Sequence, residues 1–465
     1  MLEPRNAICL VIDGWQAGFA GPYGNSWINT PALNRLASEA FLFDQAFVDS
    51  PRLDRLYRSF WLGAHAGVPN DRLHWRSGIA QRLSRAGVAT TLVTDESRVA
   101  DHPLAAEFRE IVRLGGPVPD EAALDINETR LAELFSQVLE RVEKAREPFL
   151  LWAHTGSLAT CWDAPGEFRQ RYLEGESGDV GDDAEHFAAE AAALARVGIS
   201  PPKGRLASMV DPDDLLALRR AYAAQISVLD ACLAGLLEAC EQLQSAERTL
   251  LFVAGARGFP LGEHGRVGCE ISAHAAAGDA PSDGQAALAG DSGDALYNEL
   301  IHVPWIWRLP DKRGALGRSS ALVQPADCAA TLADWWQLPG DIDASASELG
   351  AAAGRSVLPL ICEETPAWRD RVLLMLDHER ALRTASWYLR LGGHESSGTA
   401  GNPSPAAGEL YVKPDDRWER NEISARCEEI AATMAQLTDE CHRSIATGEP
   451  REPTPLSAAV QAGVS

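Results

Sequence analysis

Long apolar runs are scarce in this 465-residue chain. No window approaches the roughly 18 consecutive apolar residues of a membrane-spanning helix, so no membrane insertion is expected. The opening stretch, MLEPRNAICLVIDGW, lacks the long apolar core and small-residue cleavage site of a secretory leader. Positive charge is also short: 42 Lys and Arg against 66 Asp and Glu give a formal charge of −24. Nucleic acid and anionic membrane surfaces would both repel such a chain, so neither is an expected partner. The nine cysteines are odd in number, several sit in apolar runs, and no pair has zinc-type spacing. Buried reduced thiols are therefore expected, and with them a cytoplasmic location.

What is present describes a globular protein larger than one ordinary domain, with 46% hydrophobic and 23% charged residues. Near-continuous apolar runs at Ala7–Ile12, Val88–Val93, Phe149–Ala153, Leu250–Ala254 and Val303–Trp307 read as strands covered on both faces. Helical spacing separates them at Pro31–Ala40, Ile79–Ala86, Thr129–Ala145 and Pro212–Cys240. In the last, Leu215, Leu218, Tyr222, Ile226, Leu229, Leu233 and Leu236 follow steps of three and four, and Asp211-Pro212 supplies a start signal. The alternation predicts an α/β fold with a large doubly wound, mostly parallel sheet flanked by helices.

This α/β domain is expected over residues 1–365, with mobile insertions near 172–190 and 272–295. From about Arg371 the pattern changes. RVLLMLDHERALRTASWYLRLGG reads as two strands around a turn, GELYVKPDDRWERNEI as a third, and Cys427–Ile445 as a terminal helix. Residues 366–446 are thus expected to form a small α+β subdomain with an antiparallel sheet, and 447–465 a disordered tail.

The first strand runs directly into a carboxylate, Asp13, and a glycine-rich turn: NAICLVIDGWQAGFAGPYGN. Together with TPALNRLASEAFLFDQAFVDSP, this stretch resembles the N-terminal block of the sulfatase family, within the alkaline-phosphatase superfamily. Further similar segments follow in the family's order: PFLLWAHTGSLATCWDAP, RRAYAAQISVLDACLAGLLEAC, LFVAGARGFPLGEHG, NELIHVPWIWRLP, GRSVLPLI, RALRTASWYLRL and ELYVKPDDRWERN. The resemblance implies a divalent cation, usually calcium, that polarises the sulfate. It also implies a formylglycine nucleophile made within a Cys/Ser-x-Pro-x-Arg motif, and Lys and His side chains that neutralise and protonate.

Most of these parts are missing. Asp13 matches the first metal carboxylate, but Gly14 stands where a second acid is usual. The nucleophile position falls at Leu53, which has no nucleophilic atom, and the motif's proline and arginine fall at Arg55 and Tyr57. Ser50, the nearest hydroxyl, lacks the rest of the motif. The second pair of metal ligands falls at Ala256 and Arg257, and an arginine there would repel a divalent ion. The pocket histidine position falls at Ala159, with His154 matching an earlier, non-catalytic histidine. The sulfate-binding lysine position falls near Cys269, and no lysine occurs between Lys203 and Lys312.

The resemblance therefore implies a pseudo-sulfatase: a sulfatase-fold protein without sulfuric-ester hydrolysis, with a binding or regulatory role and no cofactor. Asp13 either accepts hydrogen bonds from its turn or pairs with Arg257 in place of the lost ion. Arg52, Arg55, Arg58 and Arg257 offer a positive lining for a small anionic or sulfated ligand, unless surface acids neutralise them. His264, in LGEHG, either lines that pocket or packs in its turn. His302 and Trp305 read as core or rim, and His65 and His74 have no ligand-like spacing.

Two alternatives remain. One is a calcium-dependent hydrolase of sulfuric or phosphoric esters with a rearranged site, drawing on Asp49, Asp54, Asp95 or Asp163. The other is a structural subunit in a hetero-oligomer with an active relative, using an apolar patch to which Trp15, Trp27, Trp335 and Trp336 could contribute; self-association into a homo-oligomer is a separate possibility.

Overall fold

The computed structural model describes residues 5–74, 76–146, 148–173, 182–206, 211–242, 245–269, 296–338, 349–364, 367–377, 379–392, 408–448 and 453–462. The chain divides into two compact units. The first comprises Met1–Leu42, Gly87–Glu270 and Val303–Arg318, and the second Phe43–Ala86, Ile271–His302 and Ser319–Ser465.

In chain order the first strands are β1 (Asn6–Asp13), β2 (Phe41–Ala46), β3 (Ala89–Thr94), β4 (Glu110–Arg113) and β5 (Phe149–Thr155). They are followed by the short β6 (Gly204–Arg205), β7 (Thr249–Arg257), the short β8 (Arg266–Val267), β9 (Trp305–Arg308) and β10 (Gly317–Val323). Eight of them form one sheet in the order β10-β2-β9-β7-β1-β5-β3-β4, and β6 pairs with β8 apart from it. The strands β7, β1, β5, β3 and β4 run parallel, while β9 is antiparallel to β7. This is the mostly parallel α/β sheet expected. β1, β5 and β7 are buried at every position, as continuous apolar runs covered on both faces should be.

The helix Pro212–Gln242 lies against the first unit's core and buries Leu218, Tyr222, Ile226, Leu229, Leu233 and Leu236. The Asp211 carboxylate accepts the N–H of Asp213 (3.0 Å), so the start signal read from the sequence acts as a cap. By length and composition this helix would pass for a membrane span, contrary to the expectation that no segment comes close. Since 67% of its most apolar window is buried inside the protein, internal packing accounts for its composition.

In the second unit, β11 (Arg371–Leu376), β12 (Glu379–Thr384), β13 (Trp387–Leu391) and β14 (Glu409–Val412) form a four-stranded antiparallel sheet in chain order. The segment expected to hold two strands holds three. Thr384 Oγ1 accepts the N–H of Trp387 (3.1 Å) and closes a second tight turn at Ala385–Ser386. The terminal helix runs over Glu428–Thr447.

Three boundaries differ from expectation. The division between units is discontinuous rather than near residue 365. Residues 43–86 belong with the antiparallel sheet: the Asp49 carbonyl accepts the N–H of Met375 (2.9 Å), and His65 Nε2 bonds the Leu373 carbonyl (2.9 Å). The tail is ordered over 453–462, where Arg371 donates to the Thr454 carbonyl (2.6 Å) and Ser386 to that of Gln461 (2.8 Å). The insertion expected over 172–190 is helical from Asp182 to Arg196, because its second half is an alanine-rich run of high helix propensity. The insertion expected over 272–295 lies outside the described residues.

Candidate functional site

The candidate site is built where β1 and β7 end side by side. Ile12 lies opposite Gly255, but Asp13 lies opposite Arg257, because the register shifts between Ile12 and Asp13. A one-residue bulge of this kind re-aims a side chain. Here it passes over Ala256 and sets Arg257 against Asp13. Arg257 Nε donates to Asp13 Oδ1 at 2.8 Å and Nη2 to Oδ2 at 2.6 Å, a two-pronged pair with its partners 2% and 1% exposed. The remaining prong, Nη1, donates to the Cys269 carbonyl at 2.8 Å.

Burial alone would raise the Asp13 carboxyl, but the charge and hydrogen bonds of Arg257 outweigh it and hold Asp13 below the ordinary carboxylate value. Burial likewise works against the Arg257 charge, and Asp13 more than compensates, so the guanidinium is held above its ordinary value. Both groups are therefore ionised. A second ion pair stands beside the first: Arg98 Nε and Nη2 each lie 3.0 Å from a Glu96 oxygen. His154, on β5, is kept neutral by burial, which lowers its pKa to about 4. The Glu96–Arg98 pair was missed in the sequence; its signal was the acid-rich TDES at the end of β3.

Gly14 continues the site. Its φ is +80°, in the left-handed region, and a Cβ there would stand 2.7 Å from the Ala159 nitrogen and 2.8 Å from the Leu158 carbonyl carbon. The short helix Ser157–Thr160 thus occupies the space that an acid at position 14 would need. Tyr222 holds the same turn from the other side: its hydroxyl donates to the Gly14 carbonyl (2.6 Å) and accepts the N–H of Gln16 (3.2 Å).

This donor set does not fit a divalent cation. Both oxygens of Asp13 are taken by a guanidinium, Gly14 and Ala256 offer no side-chain ligand, and Arg257 brings a positive charge. Among the described residues no group of three or more His, Cys, Asp or Glu is placed to hold a metal ion. The alternative acids serve the structure. Asp95 accepts Thr155 Oγ1 (2.8 Å) and the Gly156 N–H (2.7 Å), and burial raises its pKa to about 6. Asp163 accepts the Arg130 N–H (2.7 Å) and Gln225 Nε2 (3.0 Å).

Of the other candidates, those from Asp49 to Arg58 together with His302, Trp335 and Trp336 fall in the second unit, whereas His264, Trp15 and Trp27 fall in the first. Leu53 begins the helix Leu53–Leu62, where it is 4% exposed and Tyr57 is fully buried. Arg52 is held by Asp377 in a two-pronged pair of 3.0 and 2.6 Å. Arg58 donates to Asn70 and to the Ala66 carbonyl. Asp49 accepts Ser59 Oγ (2.6 Å) and the Ala66 N–H (2.8 Å), Asp54 is exposed in the helix's first turn, and Arg55 is half-buried. Thus Arg52 and Arg257 are neutralised by acids, the outcome the sequence left open against a positive lining. His264 sits half-buried in the turn Glu263–Gly265 with φ 49°, and His302 bonds the Asp44 carbonyl (2.8 Å). Of the tryptophans weighed for an apolar patch, Trp15 and Trp336 are buried, Trp335 is half-buried and Trp27 is 45% exposed.

A large, mostly parallel sheet with an acid at the end of its central strand is the framework of sulfatase-type hydrolases. The chain belongs to the sulfatase family, whose profile matches residues 5–338. Iduronate 2-sulfatase of Homo sapiens is 25% identical over 322 residues, a match covering 57% of this chain and 56% of that protein. The chain thus aligns with little more than half the length of this curated relative. Among solved structures, the phosphonate monoester hydrolase of Agrobacterium radiobacter superposes with a TM-score of 0.68 at 16% identity, covering 95% of this chain and 96% of that one. A protein solved in complex with its substrate D-glucosamine-2-N,6-O-disulfate superposes with a TM-score of 0.66 at 16% identity, covering 97% and 100%. At these identities the structural likeness is one of fold.

Proposed function

We propose that this sulfatase-fold protein does not hydrolyse sulfate esters and instead has a binding or regulatory role. The observation that carries the reading is the Arg257 guanidinium, paired through two hydrogen bonds with Asp13, the acid that the sequence resemblance aligns with the family's first metal carboxylate. An electrophilic metal supplies most of the charge stabilisation in hydrolysis of this kind, and here a protein cation already occupies its carboxylate. Two further observations support it: the absence of room for an acid at position 14, and a buried leucine at the nucleophile position. The relatives' reactions are therefore not extended to this chain. A rearranged hydrolytic site gains no support from Asp95 or Asp163, whose hydrogen bonds are already committed to backbone and neighbouring side chains.

The test is a calorimetric titration of metal-stripped protein with calcium, magnesium and manganese, run beside assays with aryl sulfate, phosphate monoester and phosphonate monoester substrates. No saturable heat up to millimolar metal and no metal-dependent turnover are expected. One ion bound per chain, lost in Asp13→Ala together with turnover of any ester, would overturn the proposal.

A further inference from the structure

Independently of that reading, we propose that a cavity beside the long helix of the first unit binds a flat aromatic anion. The cavity measures about 620 Å³. Its floor is the segment Ser227–Ala234 of the helix Pro212–Gln242, where Ala231 and Ala234 contribute only small side chains, and Tyr172 joins them in the lining. Tyr222, which holds the Gly14 turn, lies five to twelve residues earlier on that helix, roughly 8–18 Å along its axis. The cavity is therefore distinct from the Asp13–Arg257 site.

Its walls are aromatic. Trp27 is 45% exposed and meets Tyr172 edge-on, with centroids 5.3 Å apart, whereas Trp15, Trp61, Trp152, Trp162, Trp305 and Trp307 are at most 1% exposed. An exposed indole in a concave site offers a large rigid face at little conformational cost. At the rim the exposed Arg171 lies over Phe168, its guanidinium carbon 4.0 Å from the ring centroid. Arg171 forms no ion pair with any described residue. It is thus a cation already oriented on an aromatic shelf, able to meet a carboxylate with a two-pronged bond.

The polar groups decide between a flat ring and a sugar. Asp230 spends both carboxylate oxygens on the N–H groups of Ala32 (3.0 Å) and Leu33 (2.8 Å). The hydroxyls of Tyr172 and Ser227 bond each other, and Arg35 is paired with Glu241. A sugar brings several hydroxyls that each need a partner when buried, and beyond the exposed Asn29 amide the lining has few to give. An aromatic ring asks only for apolar faces, which Trp27, Tyr172 and the alanine floor provide. One anionic substituent then matches Arg171, since the other cation of the lining, Arg35, is already paired with Glu241.

The test uses the full-length protein and ligand-observed NMR with 2-naphthoate, compared with neutral 2-naphthamide and with glucuronate as the saccharide anion. Saturable binding of 2-naphthoate is expected, about tenfold tighter than the amide and than glucuronate, in keeping with one charge-assisted contact. Arg171→Ala, at an exposed position, should bring 2-naphthoate down to the level of the amide, and Trp27→Ala should weaken both aromatic ligands. The proposal is overturned if 2-naphthoate does not bind saturably, if both variants bind it as well as the parent, or if glucuronate binds the more tightly. The comparison of the three ligands on the parent chain stands even if a variant folds poorly.

Discussion

Replacing Arg257 with methionine should be among the most costly single changes in the first unit. The substitution keeps much of the apolar stem but removes the charge, leaving Asp13, 1% exposed, with no counter-ion on the side from which it now receives two hydrogen bonds. Breaking one side of a buried pair typically costs about 3–5 kcal/mol, because the remaining charge stays desolvated. The pair itself is worth much less, since forming it also desolvates two ions. Asp13→Asn combined with Arg257→Met should therefore recover more than half of the loss.

The pH dependence gives the sign. In the parent, Asp13 is held below its ordinary value of 3.8, so its stabilising effect is present above that value and is lost as the pH falls through the depressed one. In Arg257→Met the sign reverses. The buried carboxyl is raised, and the deficit is largest at pH 8 and shrinks as acid neutralises it. Denaturant midpoints of the parent, the two single variants and the double variant at pH 8 and pH 5 measure all of this. Equal deficits for single and double variants, or a deficit unchanged between the two pH values, would refute the reasoning.

Two further outcomes are expected. Gly14→Ala should destabilise the protein by about 3 kcal/mol, from the left-handed φ together with overpacking against the backbone of Leu158 and Ala159; a thermal midpoint within error of the parent would contradict the geometry. His302 is neutral in the fold, its pKa lowered by burial from 6.5 to about 3, so the unfolded chain takes up the proton first as the pH falls. Its contribution is present above about pH 6.5 and falls by about 1.4 kcal/mol per pH unit as the pH drops towards 3. The proton NMR signal of its imidazole should not titrate between pH 5 and 8, and a midpoint near 6.5 would remove this source of acid sensitivity.

The central strands were legible because they are buried on both faces and carry unbroken apolar runs; β1, β5 and β7 fall within a few residues of their expected limits. β4 and β10, at the two edges of the sheet, were not. No position of EIVR and only the last two of GRSSALV are buried, so neither carries a long continuous apolar run. The helix Leu53–Leu62 was legible in principle, since Leu53, Leu56, Tyr57 and Phe60 follow helical spacing, but Asp54, Arg55 and Arg58 interleave with them and break the apolar run. Asp13 and Arg257 could be suspected of meeting because both end strands of one sheet. The bulge that skips Ala256 depends on backbone pairing and leaves no mark in composition. The neutralisation of Arg52 by Asp377 was equally invisible, since 325 positions separate them and nothing in either segment names the other.

The guanidinium that answers Asp13 differs from a metal ion in one respect with long consequences: it cannot leave. Arginine keeps its proton throughout the accessible pH range and is tied to the chain, so neither chelators nor scarcity of calcium can change the charge at this position. It also makes a metal site hard to build at this position. Exchanging Arg257 for a ligand strands Asp13, and placing an acid at position 14 drives a side chain into the backbone of Ser157–Thr160. Each step towards a metal centre would cost folding stability before any ligand set is complete. A metal centre here would require several substitutions at once, together with movement of the short helix, so no single mutation builds one.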